Sequence, residues 1–425
     1  MSWKHLLVGA TLVACGDDDG ARILPDAPTS DATPDAPDPS TPVTVTLLEG
    51  TGPAVEYTMY FQAPDSTTIK VGITDDDGKA SAVMPEGGSV TIRDALDSNG
   101  NRNLVTVLGV KPGDNLVLTH RPTLPQSDVD FTFPATGAQQ RRFSVGSACG
   151  GDGLGDSFMS ALVMDECGIT DIIVSAELDA VEHYIYAPNQ SITAPVDLSA
   201  RSYTVTPTVN LQFTNLPAHI QPTSRAGGYR LQTTPRGTVI GCYGETLIDS
   251  SLDTALVCPN LPNTTVVDLG YFPGESTGYA LYERSANAPA TFDVGSKLII
   301  GPDSEPTYDV ATRTVRWTET TIGRVPSMTS FTIYTQDSLR PADGSIEWRV
   351  IAPHTGPSVQ LPLLPDAFAR YNIEEDEPVI YNLKLVEPTG GYDAVRAKAF
   401  TKPGIEHFVE LGGGPMATSE YLPAP

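Results

Sequence analysis

Short runs of β-branched and aromatic residues, separated by turn residues, recur through most of this chain. The first five such runs cover 43–48, 57–61, 67–71, 89–92 and 104–108. The stretches between them are rich in Gly, Pro, Asn and Asp, the residues that tight turns favour. Because no helical periodicity of useful length intervenes, the spacing predicts strands that pack as β-sandwiches. The 38 Gly and 37 Pro residues favour the same interpretation.

A short apolar stretch near the N-terminus ends in Leu12-Val13-Ala14-Cys15. This sequence resembles the signal peptide and lipobox of bacterial lipoproteins, in which a Leu and two small or apolar residues precede an acylated Cys. The resemblance implies that residues 1–14 are a signal peptide. It also implies that Cys15 becomes the lipidated N-terminus, with palmitate among its acyl chains.

The residue after that Cys indicates which membrane would hold the lipoprotein. In the enterobacterial sorting pattern an Asp in this place retains a lipoprotein at the inner membrane, whereas this chain has Gly16. We therefore expect an outer-membrane lipoprotein of the bacterial cell envelope, facing either the periplasm or the outside. No other segment approaches the roughly 18 consecutive apolar residues of a spanning helix, so attachment depends on the lipid at Cys15.

Residues 15–42 have the composition of a disordered tether. The stretch is rich in Pro, Asp and Ala, repeats Pro-Asp-Ala, and carries few large apolar side chains. Such a segment buries too little apolar surface to offset the entropy of ordering, and its prolines favour extended polyproline II. We expect it to hold the folded part of the chain away from the membrane.

Residues 43–124 contain the first predicted sandwich. Within it, 73–80 followed by 84–92 resembles carboxypeptidase regulatory-like domains, where a Thr-Asp-x-x-Gly turn precedes a strand and a Pro-Gly-Gly turn. The resemblance implies a structural spacer without catalytic residues. The adjacent residues Asp75, Asp76 and Asp77 could suggest a calcium loop, but we interpret them as a hairpin turn before Gly78.

Four further cysteines lie in two predicted β domains, 125–224 and 225–305. They are Cys149, Cys167, Cys242 and Cys258. An even number in an exported chain predicts two disulfides, and three pairings are possible. Nearest-neighbour closure, which gives two loops of similar size, favours Cys149 with Cys167 and Cys242 with Cys258. Zinc binding is the alternative, although no CxxC spacing is present.

One short motif suggests catalysis. Gly155-Asp156-Ser157 resembles the nucleophile block of SGNH esterases, a family that also requires an Asp three residues before a His. No His of the mature chain meets that requirement; they are His120, His183, His219, His354 and His407. Without a complete motif we predict no catalytic residues, no metal site and no cofactor, although paired carboxylates of the glycosidase type stay open.

The C-terminal residues 306–425 resemble a fibronectin type III-like sandwich. The resemblance rests on Trp317 in an early strand and on a Leu-Pro segment that precedes Tyr371. Val315 alternates with Trp317, and Trp348 alternates with Val350, so each pair would share one buried face. We expect core tryptophans, with an exposed sugar-stacking platform as the alternative.

Charge disfavours one class of partner. The chain has 52 Asp and Glu against 26 Lys and Arg, a formal net charge of −26. Nucleic-acid binding requires clustered cations, so this class is not expected.

The sequence thus predicts an all-β protein with tandem β-sandwich (Ig/fibronectin-like) domains after a disordered tether. The predicted function is that of a membrane-anchored surface lipoprotein, non-catalytic, acting in binding, adhesion or envelope structure. Its partners would be the membrane, through Cys15, and a protein or glycan ligand. The alternative is a carbohydrate-binding protein or extracytoplasmic hydrolase whose site lies in an interdomain groove.

Overall fold

A computed structural model describes most of the chain from Asp38 onward, and Asp38–Pro425 group into one compact unit. The described ranges are 38–49, 52–93, 102–120, 126–136, 140–147, 161–165, 168–217, 225–234, 237–247, 253–273, 277–285, 291–335, 346–366, 373, 378–396, 399–401 and 416–421. Cys15, most of the predicted tether, Cys149, Ser157 and Cys167 lie outside these ranges. The predictions made for them stay predictions.

The first predicted domain is a sandwich of two layers. Its strands are β1 (Val43–Glu49), β2 (Gly52–Pro53), β3 (Thr58–Gln62), β4 (Thr68–Ile73), β5 (Lys79–Ala82), β6 (Gly88–Arg93), β7 (Arg102–Val110) and β8 (Asn115–His120). One layer contains β2, β1, β8 and β5, and the other contains β3, β4, β6 and β7. Alternate residues such as Val45 and Phe61 point inward from the two layers and are fully buried.

Residues 126–205 form a second sandwich with its own core. Its strands are β9 (Gln126–Thr132), β10 (Gln140–Ser147), β11 (Ala161–Asp165), β12 (Ile169–Leu178), β13 (Val181–Ser191), β14 (Val196–Asp197) and β15 (Thr204–Val205). The sheet β10-β12-β13-β15 packs against β11-β9-β14. Phe131 from one sheet and Val174 from the other are buried in this core.

The next elements place a small sheet over one end of a much larger one. They are β16 (Thr208–Thr214), β17 (Arg225–Thr234), β18 (Gly237–Leu247), β19 (Asp253–Val257), β20 (Thr265–Pro273), β21 (Thr277–Ser285), β22 (Thr291–Asp293) and α1 (Val294–Lys297). The sheet β19-β16-β22 contributes Phe213 and Phe292, whose ring centroids lie 5.5 Å apart. Phe272 of β20 meets Phe213 edge to face at 4.8 Å, which closes this part of the core.

The C-terminal elements complete the large sheet. They are β23 (Thr307–Asp309), β24 (Thr314–Arg316), β25 (Met328–Thr335), β26 (Ile346–Pro353), β27 (Ser358–Gln360), β28 (Pro378–Pro388), α2 (Gly391–Arg396), β29 (Ala399–Thr401) and β30 (Met416–Tyr421). Trp317 and Trp348 are 5% and 2% exposed, so both are core residues, in agreement with the alternation of the sequence. They share one hydrophobic cluster with Phe213 and Phe292.

Twelve strands join in a single sheet with the order β18-β17-β20-β21-β30-β28-β25-β26-β7-β6-β3-β4. The link between its halves is the parallel pairing of β7 with β26, in which Leu104 lies opposite Trp348. β29 likewise pairs in parallel with β8. Strands from 43–124, 225–305 and 306–425 therefore share one sheet, and hydrogen bonding does not stop at the predicted boundaries. Parallel pairing between strands this distant in sequence leaves no local signature in the sequence.

The all-β prediction is confirmed, and the described helices are α1 and α2, of four and six residues. Within the described residues, no helix has the length and apolar character that a membrane span requires.

Candidate binding groove

A groove of about 290 Å³ lies where the first sandwich meets the C-terminal strands. Residues of the β3–β4 turn, β6 and β7 form one side, and residues 352–362 form the other. Its polar lining residues are Ser66, Ser89, Thr355, Ser358 and Gln360. The remaining lining residues are Gly, Ala, Pro, Val and Leu, so every side chain of the lining is uncharged.

Ser89 of β6 and Leu108 of β7 form the floor of the groove, and they belong to a row in register with Gln62 of β3. Gln62 lies opposite Ser89, and Ser89 lies opposite Leu108. Residues directly opposite in antiparallel strands project to the same face, so these side chains are neighbours. This face is turned away from the core of the first sandwich, which takes Phe61 and Val90 instead.

Two polar atoms of this row have no hydrogen-bond partner among the described residues: Ser89 Oγ and Gln62 Oε1. The two residues are 4% and 0% exposed. A buried polar group without a partner costs about 1–3 kcal/mol, and water or a ligand group in the groove can supply the bond. Of the two residues, Ser89 lines the groove, so the floor offers a hydroxyl that can donate or accept a hydrogen bond.

The opposite side is held in place by hydrogen bonds to the end of β3 and to the β3–β4 turn. Gln62 Nε2 donates to the carbonyl oxygen of Leu363 at 2.7 Å, and the Leu363 amide donates to Ser66 Oγ at 3.0 Å. At the end of β7, Gly109 has a φ of +65°, and a Cβ there would meet the ring of Pro353. Glycine is therefore needed at position 109, where β7 comes close to Pro353.

The lining determines which chemistry the groove can support. Acid–base and nucleophilic catalysis require a titratable group within hydrogen-bond reach of the substrate. The groove lining contains no Asp, Glu, His, Lys, Arg, Cys or Tyr. Uncharged donors and acceptors beside apolar walls fit the binding of a neutral, polar molecule.

A second cluster has the connectivity of a catalytic triad. Thr329 Oγ1 lies 2.9 Å from Nδ1 of His354, and Nε2 of His354 lies 3.6 Å from Oε1 of Glu319. Trp317 Nε1 donates to the same carboxylate oxygen at 2.9 Å. Burial lowers the pKa of His354 below its ordinary value, although the charge of Glu319 opposes that effect.

This cluster lies inside the protein, out of reach of a substrate. Thr329 is 0% exposed and the side chain of His354 is 2% exposed. A nucleophilic hydroxyl must contact a substrate carbonyl, which this burial prevents. The members of the cluster instead satisfy one another's hydrogen-bonding groups at the edge of the core.

The structure places some of the residues that the sequence predicted as sites. Cys242 of β18 and Cys258, directly after β19, form a disulfide that joins the large sheet to the small one, which fits the predicted pair. His183 is a surface residue whose Nδ1 lies 2.8 Å from its neighbour Val181 O. The side chain of Asp75 accepts hydrogen bonds from the backbone amides of Asp77 and Lys79. These bonds close a turn at Asp75–Asp77, as the sequence predicted.

Within the described ranges, no three His, Cys, Asp or Glu side chains converge in the way a metal site requires.

Sequence reasoning missed Ser89 and Gln62. The only available signal was the period-2 alternation of β6, in which Val90 and Ile92 face one core. That pattern places Ser89 and Thr91 on the other face of the strand, where a solvated surface is the usual expectation.

No protein-family model matches the sequence, and no curated protein is significantly similar to it. Similar solved chains include that of the Bacillus anthracis TIE protein, at 12% identity, with 60% of this chain and 49% of that chain covered. The match thus spans about half of that protein, and its TM-score is 0.16, too low to support an argument on fold or function.

Proposed function

We propose that this protein is a lipid-anchored lipoprotein of the bacterial envelope that binds a neutral, hydroxyl-bearing ligand in the groove without transforming it. The observation that carries the binding role is the composition of the groove: an uncharged lining with an unpartnered buried hydroxyl at Ser89. A glycan fits this chemistry, because its hydroxyls donate and accept hydrogen bonds and its C–H faces pack on apolar walls.

The anchoring role is carried by the sequence. Leu12-Val13-Ala14-Cys15 supplies the acylation site, and the Pro- and Asp-rich residues 16–42 supply the tether. Several acyl chains, at about 0.8 kcal/mol per buried CH₂, are enough for stable attachment. The β-sandwiches would then be displayed at a distance from the membrane.

Fractionation of the cell envelope tests the anchor. The wild-type chain should partition with outer membranes, whereas Cys15→Ser should be released into the soluble fraction. A Ser2→Ala chain, which leaves the lipobox intact, is the matched control and should remain with the membranes. Membrane partitioning of Cys15→Ser equal to that of the wild type would contradict a lipid anchor.

A glycan array tests the groove, with the released Cys15→Ser chain as the probe. For any glycan that binds, adding Ser89→Ala should weaken binding about tenfold, since one hydrogen bond in a buried site is worth about 1.5 kcal/mol. The same substitution should leave the stability unchanged or raise it, because it removes an unpartnered buried hydroxyl. Ser191→Ala, at an exposed position away from the groove, is the control. Equal binding by both variants would place the ligand elsewhere.

A further inference from the structure

A second cavity, of about 370 Å³, lies between α1 and the ends of β21, β28 and β30. Unlike the groove, it is lined by charged side chains: Lys297 and Arg324 on one side and Glu387 on the other. The ion pairs and hydrogen bonds that these charged side chains already make indicate which kind of ligand the cavity can bind.

Glu387 belongs to a row of residues across three strands of the large sheet. Leu281 of β21 lies opposite Ala417 of β30, which lies opposite Glu387 of β28. Leu281 and Ala417 are buried in the large hydrophobic cluster, so Glu387 projects from the same face at the edge of that core. Its Oε2 atom is buried and has no hydrogen-bond partner among the described residues.

Lys297 does not neutralise this carboxylate. Its ammonium pairs with Glu283, which lies two residues from Leu281 and therefore on the same face of β21. Because Lys297 and Glu283 neutralise each other, Glu387, a partly buried acid, has no charged partner among the described ion pairs.

Arg324 is held at the cavity by its backbone. Its amide donates to Leu298 O at 3.0 Å, and its carbonyl oxygen accepts from the Ile300 amide at 2.9 Å. The preceding Gly323 has a φ of +129°, and a Cβ there would collide with the backbone of Ile299. The glycine thus allows the chain to pass this close to Ile299, which places Arg324 beside α1.

The guanidinium of Arg324 is available for an anion. Nη2 donates to Lys297 O at 3.2 Å, and no carboxylate of the described residues forms an ion pair with it. The remaining guanidinium donors suit a bidentate contact with a carboxylate. The cavity therefore has an unpaired acid on one side and a cation with spare donors on the other.

We infer that this cavity binds a small zwitterion, with its ammonium group at Glu387 and its carboxylate at Arg324. A divalent metal is a poorer fit, because one carboxylate supplies too few oxygen ligands. A simple anion would satisfy Arg324 and leave Glu387 unpaired. A volume of about 370 Å³ falls in the range of small-molecule sites, so a free amino acid or dipeptide has enough room. This site is independent of the groove and of the ligand proposed for it.

Calorimetry with the full Cys15→Ser chain and alanyl-alanine as the probe tests the inference. N-acetylation of the dipeptide removes its ammonium group, and amidation of its C-terminus removes its carboxylate. We expect each blocked form to bind at least about tenfold more weakly than the zwitterion, since each loses one charge-assisted contact. A dipeptide that binds no more tightly than its doubly blocked form would overturn the inference.

Two substitutions assign the ends of the ligand. Glu387→Gln should abolish the preference for the free ammonium group and retain the preference for the carboxylate. Arg324→Gln should do the reverse, and Arg201→Gln, exposed and in another sandwich, should change neither. Glu387→Gln removes an unpaired acid, so its folding should be preserved and thermal unfolding can verify this. Unchanged preferences in both variants would show that the dipeptide binds elsewhere.

Discussion

Arg396 of α2 binds Asp114, which lies directly before β8, with Nε 2.9 Å from Oδ2. The same guanidinium donates to Gly109 O at 2.7 Å and pairs with Asp393 at 2.8 Å. Arg396 is 4% exposed, so this is a buried link between the C-terminal helix and the first sandwich. Because Gly109 also lines the groove, the link helps to position one of its walls.

Substitution of Arg396 by Met should destabilise the protein by about 3 kcal/mol. Removal of one partner of a buried pair leaves the other as an unpaired charge, and here Gly109 O loses its donor as well. Urea unfolding measures the change. Lys79→Met is the matched control, because Lys79 and Asp77 form an exposed pair whose loss should change the stability by less than about 0.5 kcal/mol. Similar losses in the two variants would contradict a structural role for the Arg396 link.

Removal of the disulfide by Cys242→Ala together with Cys258→Ala should lower the free energy of unfolding by about 3 kcal/mol. The bond closes a loop with a sequence separation of 16 and restricts the unfolded chain. Urea unfolding of oxidised protein gives the comparison with wild type. If Cys149 and Cys167 form the other predicted bond, reductant should still destabilise the double variant. No effect of reductant on that variant would contradict the second bond.

His354 should make the stability depend on pH near neutrality. Burial lowers its pKa below the ordinary value of 6.5, so the unfolded chain takes up a proton at a pH where the native protein does not. The contribution is fully present above about pH 6.5 and is lost as the pH falls from there toward the lowered pKa. Unfolding free energies from about pH 7.5 to about pH 5 should therefore fall more steeply for wild type than for His354→Gln. Equal slopes in the two proteins would be inconsistent with this prediction.

Gly78 should tolerate alanine much less well than Gly168. Both have positive φ, +72° and +78°, but a Cβ at Gly78 would press on the carbonyl oxygen of Leu47, whereas none of the surrounding atoms lies within 4 Å of a Cβ at Gly168. Gly168→Ala should cost about 1 kcal/mol, the cost of the backbone conformation, and Gly78→Ala about 3 kcal/mol. Thermal unfolding of the two variants separates the conformational cost from the contact. Equal costs would show that the Leu47 contact relaxes freely.

Local sequence patterns predicted many of the strands. The runs 43–48 and 104–108 became β1 and β7, because alternation of β-branched residues is a local signal of a half-buried strand. The burial of Trp317 and Trp348 followed from the same alternation. The Thr329–His354–Glu319 cluster was invisible in the sequence, since its members come from three separate segments of the chain with no fixed spacing.

The groove could not be predicted from local sequence patterns. In β6, the alternation correctly directs Val90 and Ile92 into the core of the first sandwich. It also assigns Ser89 and Thr91 to the outer face, which a solitary sandwich would expose to water. The pairing of β7 with β26 brings residues 352–362 over this face and buries it. A polar surface row thereby becomes the floor of a groove.

The amino-acid sequence by itself determined the strands, their inward faces and the turns, because these depend on residues close together in the chain. It also carries the motif at Cys15 on which the proposed anchor depends. Only the tertiary structure decided that strands more than 200 residues apart pair in parallel. That pairing covered Ser89 with residues 352–362, and the row across β21, β30 and β28 placed Glu387 in the wall of a cavity that Arg324 also lines. Contacts of this kind depend on how completed layers pack, and no local pattern in the sequence encodes them.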